Sequence, residues 1–492
     1  MLVQHCKSKI IGSKPKQTIQ NPRLPLKREG RRGGGDVGEK VSKLAIQILL
    51  LEGSSRLGGW LHSCKTEDGS VHELGTRSIR VTGLVGKNTL DMVDTLNLET
   101  SLLPVTSAHP AVSNRFLYAE GKIHKLPASL SSLFRRSEPL SKSLAVLLAR
   151  EPFRRKVPVD DESLHSFFER RFGLEFATYL VDAFCRGIFA GKSSELSIKS
   201  CFPHLFEIEQ KYGSLILGSL LSKREGDSSV GNSPLVKRAT AERWLSWSLK
   251  AGLQELPDRL GSYLTEKDVQ ISTDTPCRRI EFKDKVARIH TKDKVLETER
   301  LFCSLPSTNL APLLAPEHSD LAKSLSEIPS ATVAVVNLEF EGSVLPLQGF
   351  GYLVPSCEPS NVLGVVFDSC TFPEHDTPVR ETTRMTCMMG GEWFEELFGD
   401  PEVVCKDKLL LTALESIKAH LNIHEKPIYS NVSVHRDCIP QYTIGHSKRL
   451  DSIHDYIQNH KLPLTLLGSS YHGVSVNDCI FNARKAVLEQ RR

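Results

Sequence analysis

Ala45–Leu51 reads AIQILLL and runs directly into Glu52-Gly53-Ser54-Ser55-Arg56-Leu57-Gly58-Gly59-Trp60. A short apolar run bounded by Gly-Ser reads as a strand buried in a parallel sheet. An acid at the carboxyl end of such a strand suits the ribose position of a dinucleotide-binding α/β fold. The physical reason is that one carboxylate accepts two hydrogen bonds from vicinal hydroxyls. Taken alone, Glu52 reads as well as a strand-end acid facing solvent.

The surroundings are those of a large soluble chain. At about 150 residues per domain, 492 residues give roughly three domains. Hydrophobic residues make up 40% and charged residues 25%, which excludes a disordered or fibrous chain. The longest apolar runs, around Leu44–Leu51 and Leu144–Ala149, are far too short for a transmembrane helix. The 12 cysteines are scattered from Cys6 to Cys479, with no CxxC pair and no zinc spacing, so no metal site is expected. They read as small core residues in a reduced compartment. The net charge of +5 is uneven, because residues 1–44 carry +8 and the remainder −3. The body is therefore no nucleic-acid binder by charge.

The basic segment reads as a disordered arm. Residues 1–28 contain no acid, which suits a mitochondrial presequence, but Pro15, Pro22 and Pro25 would break its amphipathic helix. Gly33-Gly34-Gly35-Asp36-Val37-Gly38 matches GxGxxG on paper. Lys27–Arg32 precedes it and cannot be a central strand, so the match reads as an accident of a Gly/Arg-rich linker.

Further along, residues 131–225 read as helical. Asp160 or Asp161 can cap a helix with Leu164, Phe167, Phe168 and Phe172 on one side. Phe134-Arg135-Arg136 and Phe153-Arg154-Arg155-Lys156 set bulky apolar residues beside cations. That mixture suits an anionic bilayer surface or a solvated face equally. Residues 224–238 read as a polar loop. Ala331–Phe340, Val362–Phe367 and Arg384–Met389 are β-rich, and one helix interrupts with Leu410, Leu414, Ile417 and Leu421 on one face. Lys461–Ser470 gives a last strand before a helical tail. No internal repeat is visible.

Three separated segments, taken in order, are specific. They are Leu51–Trp60, Glu73-Leu74-Gly75-Thr76-Arg77-Ser78-Ile79-Arg80 and Leu466-Leu467-Gly468-Ser469-Ser470-Tyr471-His472-Gly473-Val474-Ser475-Val476-Asn477-Asp478. This order resembles the FAD-dependent amine-oxidase superfamily. Asn114–Tyr118, Cys185–Gly191, Cys201–Pro203, Gln348–Pro355 and Cys438–Thr443 bring it closer to the protoporphyrinogen oxidase family of animals. The resemblance runs from about residue 45 to the end.

It implies an α/β fold in which a discontinuous Rossmann-like FAD domain carries a mixed-sheet substrate domain and a helical membrane-binding domain. The implied division is a basic arm over 1–44 and FAD-domain parts over 45–107, 251–318 and 436–492. Substrate-domain parts fall at 108–130, 211–250 and 319–435, and the helical domain at 131–210. The implied activity is oxidation of protoporphyrinogen IX to protoporphyrin IX by FAD and dioxygen, with release of hydrogen peroxide. The implied setting is a homodimer attached peripherally to the mitochondrial inner membrane, with no nucleic-acid partner.

Carried over by residue, Glu52 would hold the adenosine ribose, and Gly53, Arg56, Gly58, Gly59 and Trp60 would form a loop along the cofactor. Gly75, Thr76, Arg77 and Ser78 would flank the flavin, although the family usually has Pro and Gly where Thr76 and Ser78 stand. Cys277 would lie near the cofactor. Gly468, Ser469, Gly473, Val474, Ser475 and Val476 would place free amides at a helix N-terminus against the flavin's oxygens. Arg115 would pair with a substrate propionate. Phe350, Gly351 and Leu353 would face the macrocycle, with Met388 in the same apolar pocket.

One departure matters. The family places a strand, a Gly-rich turn and a helix before the segment matching Ile48–Glu52, and residues 1–44 do not resemble that unit. The 19 residues from Gly33 to Glu52 are too few to hold it. The strand ending at Leu51 is then expected to lack a ladder partner. Two alternatives stay open beside the oxidase: a non-catalytic variant that does not retain FAD, and a flavin amine oxidase acting on another substrate. No general base stands out.

Overall fold

Of the described residues in the run that ends in Glu52, Leu49–Leu51 form a strand. The computed structural model describes residues 47–222 and 230–490. The basic arm, the Gly33–Gly38 run and the Glu225–Ser229 loop lie outside the described residues. The strands that position the site are, in chain order, β1 (Leu49–Leu51), β2 (Arg115–Ala119), β3 (Lys122–Lys125), β4 (Gln270–Ser272), β5 (Leu301–Cys303) and β6 (Ser330–Glu341). They continue with β7 (Gly351–Leu353), β8 (Val362–Val366), β9 (Thr382–Gly391), β10 (Tyr429–Pro440) and β11 (Leu464–Leu466). The helices used below are α1 (Leu164–Phe172), α2 (Asp182–Phe189), α3 (Lys406–Leu421), α4 (His446–Asn459) and α5 (Val476–Glu489).

β1 pairs in parallel with β4, Leu50 opposite Ile271. β5 pairs in parallel with β11, Phe302 opposite Thr465. Among the described residues these are two separate two-stranded sheets. β1 is half-buried along its whole length rather than buried. Among the described residues only one of its edges has a ladder partner.

The large sheet has seven strands in the order β10-β6-β9-β8-β7-β2-β3. β7 runs parallel to β2, and the other pairs are antiparallel. The alternation in β6 decides its two faces. Ala334, Val336, Leu338 and Phe340 pack with Leu409, Ala413, Ile417 and Leu421 of α3. Truncating a leucine in such a face costs about 2–5 kcal/mol. The sequence pointed to Leu410 and Leu414, which flank this stripe half-buried. The i, i+4 row through Ile417 and Leu421 runs back to 413 and 409, so the small Ala413 outranks its larger neighbour. On the opposite face Ala331, Val333 and Val335 pack with Ala190, which ends α2, and with Met388 and Trp393.

The helical layer covers that second face. Its helix α1 is capped by Ser163, whose Oγ accepts the Ser166 N–H at 3.1 Å, and not by Asp160 or Asp161. Asp161 instead accepts from Ser197 Oγ at 2.7 Å and from the Gly445 N–H at 3.1 Å. The layer is knotted by a fully buried pair, Arg171 with Glu151, which also accepts from Ser214 Oγ at 2.6 Å. A helix over Pro234–Ala241, capped by Ser233, replaces the end of the expected loop, because Ser-Pro at the cap and first position starts a helix well. Among the described residues, no helix is long and apolar enough to cross a membrane.

Candidate functional site

Register in the large sheet assembles one wall of the site. Arg115 stands beside Gly351, Gly351 beside Val366, Val366 beside Thr386 and Thr386 beside Asn337. Two residues along lies the row Leu117, Leu353, Gly364, Met388 and Val335. Side chains two apart share a face. Arg115, Leu353 and Met388 therefore project from the face that α2 covers. Gly364 is tightly packed in the second row, since a Cβ there would stand 2.7 Å from the Tyr352 carbonyl oxygen and 3.0 Å from a Leu353 methyl. Leu353 packs against α2 at Gly187, where a Cβ would meet its methyl at 2.4 Å. Phe350 enters β7 partly exposed, its N–H bonded to Asn114 O at 2.9 Å.

The turn at residues 73–78 docks on the polar end of this wall. Asn337 Nδ2 donates to Glu73 O at 3.0 Å and to Thr386 Oγ1 at 2.9 Å. His435 Nε2 donates to Leu74 O at 2.6 Å. Arg77 Nε donates to Asp368 Oδ1 at 3.1 Å, and Asp368 Oδ2 accepts from Thr386 Oγ1 at 2.6 Å. Gly75, Thr76 and Ser78 are half-buried within the turn.

The loop Glu52–Trp60 closes on the same turn. Gly75 allows it, since a Cβ there would lie 2.0 Å from the Trp60 carbonyl oxygen. Trp60 packs edge-on against His435 at 5.0 Å. Arg56 holds the loop's shape through Gly59 O at 2.6 Å and Gln254 Oε1 at 3.0 Å. Gly53 faces Pro276, and Cys277 next to it turns into the core beside Leu466.

The C-terminal segment completes the group. Asn477 Nδ2 donates to Arg80 O at 2.8 Å, joining the start of α5 to the strand that follows the 73–78 turn. Gly468 and Ser469 leave β11 beside the end of β5, with Gly468 at φ 99° against Ser304 O. Val474 packs on the helical layer and Val476 on the core around Trp247. The amides here are only partly free. Gly473 N–H goes to Tyr442 Oη at 2.9 Å, and Ser475 caps the Asp478 N–H at 3.2 Å.

Burial sets the charges. It raises the Glu73 carboxyl to about 7, against bonds from the Leu253 N–H at 2.6 Å and Ser63 Oγ at 2.7 Å. It lowers the His435 imidazole, which therefore stays neutral. It also lowers the Arg115 guanidinium, helped by the nearby Arg80 cation. Arg115 makes no ion pair among the described residues, so it is free for an added carboxylate.

A flavin nucleotide fits these residues on two counts. Glu52 Oε1 takes the Ser54 N–H at 2.8 Å and Ser54 Oγ at 2.7 Å, leaving Oε2 without a hydrogen bond among the described residues. Gly59, at φ 54°, has nothing within 4 Å of where a Cβ would be, so its backbone borders open space. The sequence reading missed Asp368, Thr386, Asn337 and His435. Asn337 carries a signal, because it is polar at an inward position of a mostly apolar strand, whereas His435 stands in a strand rich in polar residues and carries none.

Residues 43–488 match the family model described as flavin containing amine oxidoreductase. A protoporphyrinogen oxidase of Macaca fascicularis is 43% identical over 443 residues, 90% of this chain and 92% of that protein. The Homo sapiens protein of the same name is 42% identical over the same shares. A crystal structure from Exiguobacterium sp. 255-15 superposes with a TM-score of 0.72 at 22% identity, covering 91% of this chain and 93% of that one. Reduced UDP-galactopyranose mutase superposes with a TM-score of 0.65 at 13% identity, covering 90% of each chain. The two structures share the fold.

Proposed function

The chain belongs to the flavin containing amine oxidoreductase family, on the branch of the protoporphyrinogen oxidases, and from that premise we propose that it oxidises protoporphyrinogen IX to protoporphyrin IX with FAD and dioxygen, releasing hydrogen peroxide. One observation carries the reading. An apolar wall of Leu353 and Met388 ends in an arginine without an acidic partner among the described residues, and the 73–78 turn faces it. A flat apolar ligand with carboxylates at its edge needs that combination.

Arg115 pairs with a propionate, where its planar fork fits both oxygens. Phe350 and Leu353 pack on the macrocycle and Met388 closes the pocket beneath it. The α2 layer packs on Leu353 at this face. Arg77, fixed by Asp368, sets the turn that orients the flavin edge. The flavin, when bound, supplies the acceptor for hydride from a methylene bridge. Six electrons leave the substrate, so three dioxygen molecules become three of hydrogen peroxide. No general base is assigned.

FAD rather than a shorter flavin is supported by Glu52 Oε2, which takes no hydrogen bond among the described residues and as a carboxylate oxygen would accept from ribose hydroxyls. A membrane surface as partner is supported by Leu130, Phe134, Phe153, Leu220 and Leu221, all largely exposed on the helical layer near Arg135, Arg154 and Arg155. The family resemblance supports the mitochondrial inner membrane and a homodimer.

A second reading follows from β1, which among the described residues is paired on one edge only: the chain holds flavin too weakly to turn over. The visible spectrum of the purified chain separates the two. A flavin band near one equivalent together with formation of fluorescent protoporphyrin supports the oxidase, and a colourless protein supports the second reading. Turnover of a polyamine without turnover of protoporphyrinogen would overturn the substrate assignment.

A further inference from the structure

The segment Gln441–His446 is bolted to the helical layer. Gln441 Nε2 donates to Phe189 O at 2.7 Å, and Tyr442 O accepts the Ser197 N–H at 2.8 Å. Ile444 N–H reaches Glu195 O at 3.0 Å and Gly445 N–H reaches Asp161 Oδ2 at 3.1 Å. From this anchor two rings extend under the loop that follows β11. Tyr442 Oη donates to Ser469 O and accepts the Gly473 N–H at 2.9 Å. His446 stacks on Tyr442 at 4.1 Å with 14° between the planes, and its Nε2 donates to Tyr471 O at 3.2 Å. Tyr442 and His446 are 2% and 1% exposed, so neither is replaceable by water without rearrangement.

A phenol has one proton to give and lone pairs to accept with. Tyr442 uses both sides on one loop, spanning it from Ser469 to Gly473. Ser470 Oγ, accepting the Ser307 N–H at 3.0 Å, ties the same loop to the end of β5. The loop lies beyond the carboxyl end of a parallel strand, where such folds bind nucleotides. We propose that Tyr442, braced by His446, is the positioning residue that sets the width and height of the Gly468–Ser475 loop against the flavin, registering it to the helical layer. The proposal rests on the flavin reading above. A phenylalanine at this position leaves the half-buried Gly473 N–H and Ser469 carbonyl without this partner, and the loop relaxes.

The test compares the full chain with Tyr442→Phe. Hydrogen exchange without flavin is expected to quicken about tenfold at the Gly473 amide, with β6 and α3 unchanged. FAD titration is expected to show about tenfold weaker binding, with a shifted flavin midpoint potential that a merely structural role would not move. Should Tyr442→Phe fail to fold, His446→Gln keeps a donor for Tyr471 O but loses the stack, and about a threefold effect in the same directions is expected. Unchanged exchange at Gly473 overturns the clamp. Faster exchange with unchanged FAD affinity and potential overturns the positioning role. An unmutated chain that takes up no FAD overturns the flavin reading and the proposal with it, and the exchange result keeps that failure distinct from failure of the clamp.

Discussion

Arg115 and Gly351 stand side by side in parallel register, at the start of β2 and β7, the only parallel strand pair of the large sheet among the described residues. Gly351, at φ 133°, has the Val365 carbonyl oxygen 2.1 Å from where a Cβ would be, so nothing larger fits beside the arginine. The Val365 carbonyl thus takes the space beside Gly351 that a side chain would need, and Arg115 stands at the edge of the Leu353–Met388 wall.

Arg115→Ala is expected to raise KM for protoporphyrinogen about 10–100-fold, the worth of a charged hydrogen-bonded pair at about 1.5–3 kcal/mol. Flavin content stays the same. Steady-state kinetics beside the flavin absorbance check this, and an unchanged KM removes the propionate assignment.

Glu73 gives a pH signature. Its carboxyl is raised from 4.5 to about 7, so the folded protein holds this proton more tightly than the unfolded chain does. The resulting stability is full below about pH 4.5 and is lost as pH rises through about 7. At about 1.4 kcal/mol per pKa unit, the loss is on the order of 3 kcal/mol. Glu73→Gln does not titrate, so relative to the parent it should gain about that much between the two ends of the window. Urea unfolding across the range measures it, and parallel stability curves for the two proteins would refute the burial argument.

β1 predicts a gain of function. A strand, Gly-rich turn and helix grafted ahead of β1 would pair its second edge and supply a helix N-terminus for the pyrophosphate, worth about 0.3–2 kcal/mol from the dipole alone. FAD retention should rise at least tenfold, and exchange at the Leu49–Leu51 amides should slow. Exchange that stays as fast as before contradicts the open-edge account.

The exposed face of the helical layer predicts binding to anionic vesicles. Phe153 is 89% exposed and Phe134 75% exposed. Replacing both with Asp should reduce sedimentation with phosphatidylserine-containing vesicles at least tenfold, with catalysis in detergent unchanged. Equal sedimentation of the double variant rules out this face.

Much of the frame was legible in the sequence. The β-rich composition of 331–340 pointed to β6, and the helical tail behind Val474 pointed to α5. Local rules failed where two polar residues competed. Asp160 and Asp161 are good caps, yet Ser163 lies one residue before Leu164, and Asp161 is drawn instead to Ser197 and Gly445 in other parts of the chain. Asp368 and Tyr442 stayed silent for the same reason. Their partners are Arg77 and Gly473, far off in sequence, and no periodicity reports such contacts.

The central claim is that a substrate held on the Arg115 wall passes electrons to a flavin beside the 73–78 turn. Anaerobic mixing of the FAD-loaded chain with excess protoporphyrinogen tests it most directly. The account predicts that the flavin band bleaches, returns on admitting air with formation of hydrogen peroxide, and leaves fluorescent protoporphyrin. A bound flavin whose band stays unchanged in excess protoporphyrinogen would contradict it.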